Sequence, residues 1–159
     1  LAVSTTVEHQ ILLVDTDLDY LEWATKHLAA AGVKILRCDN ASKAAQVVAK
    51  TTIDLVICDL KLDPFDGIEL IQKIRSISPA TIAILTAVFP STTQIVEATQ
   101  KGAHDVLKKE SLSFELRQVV ESALQTIDQR RVLGPSSDER PAWSEKLPSS
   151  VFHDHFRMS

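Results

Sequence analysis

Two spacings of apolar residues take turns along most of the chain: short unbroken runs of the kind that fill a buried strand, and longer stretches with apolar residues every third or fourth position. Ile11-Leu12-Leu13-Val14 is the first run; after Asp15-Thr16-Asp17 come Leu18, Leu21, Ala24, Leu28 and Ala31 at helical spacing, ending at Gly32. Val33 to Cys38 reads as a second strand, and Ala41 to Lys50 as an alanine-rich helix with Ala44, Val47 and Val48 inward. Ile53 to Cys58 is the third strand, followed by the loop Asp59 to Asp66. Gly67 then opens a helix carrying Ile68, Leu70, Ile71, Ile74 and Ile77, which Ser78-Pro79 stops. Thr81 to Leu85 closes on Thr86, and a helix over Ser91 to Lys101 takes Ser91 as N-cap and Gly102 as C-cap. Asp105 to Leu107 is a fifth, short strand. Beyond Lys108-Lys109 a last helix spans about Ser113 to Arg130, with the stripe Leu116, Val119, Val120, Ala123, Leu124 and Ile127.

Strands alternating with helices imply a parallel sheet covered on both faces. From Val132 the pattern stops, interrupted by Gly134, Pro135, Pro141, Pro148 and several serines, with Trp143, Phe152 and Phe156 scattered among them. The organisation expected is a flexible N-terminus over 1–9, one folded domain over 10–130, and a linker or disordered tail over 131–159.

Composition narrows the field. The chain has 159 residues, 45% hydrophobic and 24% charged, enough for one full core. A net charge of -4, with acids and bases interspersed, lacks the basic stripe that phosphate-backbone binding needs, so direct nucleic-acid binding is not expected. No apolar stretch approaches the roughly 20 residues of a bilayer span, and no basic segment followed by an apolar signal region opens the chain. The sequence therefore reads as soluble and cytoplasmic, without membrane attachment. Cys38 and Cys58 lie within strand-like runs and read as small buried hydrophobes. His9, His27, His104, His153 and His155 form no spacing typical of a zinc site.

The chemistry concentrates at strand ends. Asp15 and Asp59 each terminate a buried-type strand, and in a parallel sheet the ligand crevice opens at the carboxyl ends of the strands. Either aspartate alone would read as a helix cap or turn former, Thr86 as a β-branched strand end, and Lys109 as a solvated lysine. Glu97, Lys101, Lys108 and Arg117 read as a solvated face. Asp15 after strand one, Asp59 after strand three, Asp66-Gly67 beyond it, Thr86-Ala87 after strand four and Lys109 after strand five fall in order, and together they are specific.

On those residues, the first 130 or so positions resemble the receiver domain of bacterial two-component response regulators, the CheY-like superfamily. The resemblance implies a flavodoxin-like doubly wound fold, a five-stranded parallel sheet in the order 2-1-3-4-5, and a signalling domain rather than an enzyme. It implies that Asp59 accepts a phosphoryl group from a sensor histidine kinase or phosphotransfer protein, with Thr86 and Lys109 contacting the phosphoryl oxygens. It further implies Mg²⁺ held by Asp15, Asp59 and the backbone carbonyl of Lys61. A homodimer through the face of helix 4, strand 5 and helix 5 also follows from the family. Phosphoryl transfer suits these residue types, since catalysis there is mainly in-line positioning and charge neutralisation by a metal and a cation.

Four positions depart from the family pattern. Thr16 stands where a second acid usually follows the first, so Thr16 or Asp17 would complete the metal site, with weakened Mg²⁺ affinity. Val106 replaces a common aromatic, Glu110 a common proline after the lysine, and Asp63 a proline four residues after Asp59, with Pro64 beside it. Two alternatives follow: a degenerate receiver that binds partners without phosphorylation, and a haloacid dehalogenase-like phosphatase built on Asp15-Thr16-Asp17.

Overall fold

The computed structural model describes residues 8–30 and 32–133. Five strands and five helices alternate strictly: β1 (His9–Val14), α1 (Leu18–Leu28), β2 (Val33–Cys38), α2 (Ala41–Lys50), β3 (Leu55–Asp59), α3 (Gly67–Ile77), β4 (Ile82–Ala87), α4 (Thr92–Gln100), β5 (Asp105–Lys108) and α5 (Ser113–Leu133). The strands form one parallel sheet in the order β2-β1-β3-β4-β5, the expected flavodoxin-like topology.

Side chains alternate between the two faces of a strand, and the core divides accordingly. Leu12, Val14, Val56, Cys58, Ala83 and Leu85 pack with α2, α3 and α4. Ile11, Leu13, Leu55, Ile57, Ile82, Ile84 and Leu107 pack with α1 and α5. β1, β3 and β4 are covered on both sides, which explains their unbroken apolar runs.

That alternation also aims the chemistry. Asp15, Asp59, Thr86 and Lys109 continue the parity of Leu13, Ile57, Ile84 and Leu107, so all four emerge at the carboxyl edge on the α1 and α5 side.

Several boundaries differ from the sequence reading. β3 starts at Leu55 rather than Ile53, because Asp54 turns its carboxylate to Gln10 N–H at 2.8 Å while Ile53 C=O accepts the Thr81 hydroxyl at 2.7 Å. β4 runs on through Thr86 to Ala87, since Thr86 pairs with both Asp59 and Leu107. α1 ends at Leu28, where Ala29 turns extended, and Gly32 C=O accepts His9 N–H at 2.7 Å. His9, expected in a flexible terminus, instead opens β1. α5 continues to Leu133: Arg131 reaches back to Asp54 Oδ1 at 2.6 Å and to the Glu8 carbonyl at 3.4 Å, anchoring the added turn. Residues 131–133 are therefore helical, and the tail reading from 134 onward, with Trp143, Phe152 and Phe156, falls outside the described residues. No helix among the described residues is long and apolar enough to cross a membrane.

Candidate functional site

Asp15 follows β1 directly and is 2% exposed, while Asp59 closes β3 at 7%. Lys109 follows β5, and its ammonium lies 2.7 Å from Asp15 Oδ2 and 3.4 Å from Asp59 Oδ2. Three segments distant in sequence thus converge on one point. Thr86, 1% exposed, is the register partner of Asp59 on β4. The structure brings together Asp15, Asp59, Thr86 and Lys109 as the strand ends suggested.

Local structure fixes each acid. Asp15 Oδ1 accepts the Asp17 N–H at 2.9 Å, and the Lys61 N–H donates to the Asp59 carboxylate. The Asp17 carboxylate is engaged elsewhere, where its Oδ1 caps α1 by accepting from Asp19 N–H at 3.0 Å and Tyr20 N–H at 3.2 Å. Thr16 and Lys61 border a groove of about 540 Å³, shared with Asp63, Asp66 and Glu97. Asp66 is spent on the N-cap of α3, accepting Glu69 N–H at 2.9 Å. Gly67 is required by close approach: a Cβ there would collide with the Asp59 carbonyl oxygen and come within 2.8 Å of Leu85 Cδ1.

Electrostatics follow from this crowding. Burial first, then the charge of Asp15, holds the Asp59 carboxyl above its usual value, although Lys109 and the Lys61 N–H pull the other way. Burial opposes the Lys109 ammonium, yet the hydrogen bond and charge of Asp15 and the charge of Asp59 outweigh it and keep the lysine protonated. Burial also pushes the Cys58 thiol far up, with Asp59 and Asp15 adding to it, so this cysteine is an inert core group.

Two carboxylates largely closed from water therefore share one ammonium, and one negative charge is left uncompensated. A divalent cation would reverse the sign of that charge, which suits an incoming phosphoryl group, and two carboxylates with a backbone carbonyl and waters suit Mg²⁺. Among the described residues no group of three or more His, Cys, Asp or Glu side chains gathers to hold a metal.

Two further residues bear on the site, Tyr20, which was not singled out in the sequence, and Glu110, which was noted there only as a departure from the family pattern. Tyr20, on the first turn of α1, places its ring under the Lys109 ammonium, 4.5 Å from the ring centre. Glu110 reaches across to the β4–α4 loop, where its Oε2 accepts the Phe89 N–H at 3.2 Å, and Phe89 holds a positive φ of 44°. Tyr20 reads in sequence as an ordinary helix-surface aromatic; only its position three residues after the cap beside Asp15 carried a signal. Glu110 was visible as a departure, but its partner was not.

The model of the response regulator receiver domain family matches residues 11–121. The chain belongs to this family. It is thus a receiver domain of a two-component response regulator, a signalling module rather than an enzyme. The transcriptional regulatory protein GlrR of Escherichia coli (strain K12) is 29% identical over 137 residues, covering 86% of this chain and 29% of GlrR. The chain accordingly spans less than a third of that relative. Among solved structures, the signal receiver domain of a putative Luxo repressor protein from Vibrio parahaemolyticus superposes with a TM-score of 0.76 at 22% identity, covering 82% of this chain and all of that one. The beryllofluoride-activated NtrC4 receiver domain dimer gives 0.70 at 19% identity, covering 74% and 98%. The phosphatase reading falls with this membership, and the second acid it needed, Asp17, is the cap of α1.

Proposed function

We propose that this receiver accepts a phosphoryl group on Asp59 and relays the event through the loops that flank the site. The observation that carries the reading is the Lys109 ammonium lodged between Asp15 and Asp59 at the carboxyl edge of the sheet. An Asp59 carboxylate oxygen attacks phosphorus in line, the bond from phosphorus to the donor's histidine nitrogen breaks, and the donor keeps that electron pair and takes a proton. Lys109 turns from the carboxylate to a phosphoryl oxygen, and Thr86, beside Asp59 on β4, donates its hydroxyl to another. Asp15, Asp59 and the Lys61 carbonyl would hold Mg²⁺ with the Thr16 hydroxyl bordering it; when bound, the ion neutralises charge on the phosphoryl oxygens. Movement of Thr86 would pull the β4–α4 loop and shift the population between two arrangements around α4 and α5.

The donor in this reading is a sensor histidine kinase or phosphotransfer protein, and the address is cytoplasmic. Self-association through α4, β5 and α5 is supported by exposed Val96 on α4 and by the dimeric state named for the NtrC4 receiver. Transcriptional regulation, named for GlrR, is proposed for a whole protein carrying this module, with any nucleic-acid contact outside this stretch.

Thr16 favours a second reading, a receiver that engages partners without being phosphorylated. Incubation with acetyl phosphate and Mg²⁺, followed by intact mass, separates the two. The leading reading expects one phosphoryl adduct on the wild type and none on Asp59→Asn. A wild type without adduct at any Mg²⁺ concentration, with adduct appearing in Thr16→Asp, establishes the second reading instead.

A further inference from the structure

The Lys109 ammonium touches more than the two acids. Beneath it lies the Tyr20 ring, 4.5 Å from the nitrogen to the ring centre, within the range where a cation is drawn to the face of an aromatic ring. Asp17 caps α1 just before this residue, and helix side chains lean toward the N-terminus, which carries the ring up to the edge where Asp15 and Asp59 sit. The ring belongs to an aromatic row: Trp23 lies 5.5 Å from it with the rings tilted by 36°, His27 lies 4.9 Å from Trp23 at a tilt of 43°, and His27 Nδ1–H donates to the Trp23 carbonyl at 2.9 Å. Burial, then Asp15 and Asp59, push the phenol's ionisation far up, so the ring stays neutral at the site.

A lysine side chain has four rotatable carbons and no fixed fork, so its ammonium goes where the field is strongest. Here the shorter contact is to Asp15, at 2.7 Å against 3.4 Å for Asp59. An unsupported ammonium would stay on Asp15 or turn to water, away from the oxygen that must react. We propose that Tyr20 is a positioning residue of the phosphorylation site, its ring face seating the Lys109 ammonium within reach of Asp59. This rests on the reading of Asp59 as the phosphoacceptor and adds a residue to it. The seat lowers the freedom the ammonium must lose when a phosphoryl oxygen arrives, which is a gain in preorganisation and not a new contact to the donor.

Two variants test it on the full chain. Tyr20→Phe keeps the ring face, and Tyr20→Leu fills similar space without one. In the protein alone, the Lys109 ε-methylene protons should be shifted upfield by the ring current in the wild type and in Tyr20→Phe, and should return to ordinary lysine positions in Tyr20→Leu. With acetyl phosphate at saturation, the limiting phosphorylation rate of Tyr20→Leu should fall roughly three- to tenfold, the size of a partly desolvated cation–ring contact, while Tyr20→Phe stays within about twofold of wild type. A packing role alone would slow Tyr20→Leu only together with a lowered urea midpoint, whereas the seating role slows it at a wild-type midpoint. Wild-type rate and shift in Tyr20→Leu overturn the proposal, as does a Tyr20→Phe variant as slow as Tyr20→Leu. A wild type that takes up no phosphoryl group defeats the Asp59 reading, and the ε-methylene shift then still decides whether the ring seats the ammonium.

Discussion

Gly67→Ala is the sharpest test of how α3 is mounted on the site. Alanine is the better helix former by about 1 kcal/mol, so propensity alone predicts a gain. The structure predicts the reverse. A Cβ at 67 overlaps the Asp59 carbonyl oxygen, stands 3.0 Å from the carbonyl carbon and 2.8 Å from Leu85 Cδ1. Neither neighbour can yield cheaply, because Asp59 belongs to β3 and pairs with Thr86, and Leu85 is 1% exposed in the core. Gly67 itself is tied down, its N–H donating to the Leu60 carbonyl at 2.8 Å. The first turn of α3 must therefore lift, loosening Ile68, Leu70 and Ile71, all buried. Overpacking of this kind costs roughly 1–3 kcal/mol, and with backbone as the obstacle the upper half of that range applies, leaving a net loss of about 1–2 kcal/mol after the propensity gain.

Urea unfolding reads the loss as a midpoint lowered by about 1 M at unchanged slope, given slopes of roughly 1–3 kcal/mol/M for small domains. The same displacement moves the Asp59 backbone, so phosphoryl uptake should slow alongside. An alanine variant as stable as the wild type, or more so, refutes the reasoning, since it would mean that α3 does not press on the Asp59 carbonyl.

Two further outcomes follow from charge placement. Burial and Asp15 hold the Asp59 carboxyl above its usual 3.8, so the folded state binds this proton more tightly than the unfolded chain. The stability it contributes is full below 3.8 and is lost as pH rises through the folded value. Asp59→Asn should thus be more stable than wild type at pH 7, with the difference shrinking toward pH 4; equal urea midpoints at pH 7 count against it. Arg131→Gln breaks the pair with Asp54, leaving global stability within about 1 kcal/mol because the guanidinium is partly exposed. Amide exchange in the last turn of α5 should quicken markedly, and unchanged exchange there would show that Asp54 does not anchor it.

The alternation of strands and helices, the helix faces and the strand-end places of four site side chains were readable in sequence because they depend on local rules, whereas the sheet order came only with the family resemblance. Buried strands give unbroken apolar runs, and Asp15, Asp59, Thr86 and Lys109 stand where such runs end. What escaped were contacts between distant segments. α5 gained a turn because Arg131 meets an aspartate 77 positions earlier, and no helical pattern encodes that. Glu110 could be seen to replace a proline, but that it accepts from Phe89 N–H, 21 positions away, depends on two loops meeting over the sheet edge. Tyr20 was hidden for a related reason: its period fits the helix surface, and its role depends on a lysine just beyond the last strand. Gly67 was legible as the start of a helix, whereas its necessity comes from Asp59's backbone.

The departure at Thr16 acquires a physical meaning once the charges are placed. A third carboxylate, even at the exposed position 16, would leave the cation-free site with two uncompensated negative charges instead of one, which favours an ion and disfavours the empty protein. With a hydroxyl there, Lys109 alone neutralises half of the Asp15 and Asp59 charge, and the ring of Tyr20 supports that ammonium through its face. Both features stabilise the site without a cation. A metal that uses Asp15 Oδ2 must first loosen the 2.7 Å contact to Lys109, so the ammonium that settles the cation-free site also competes with a cation for Asp15.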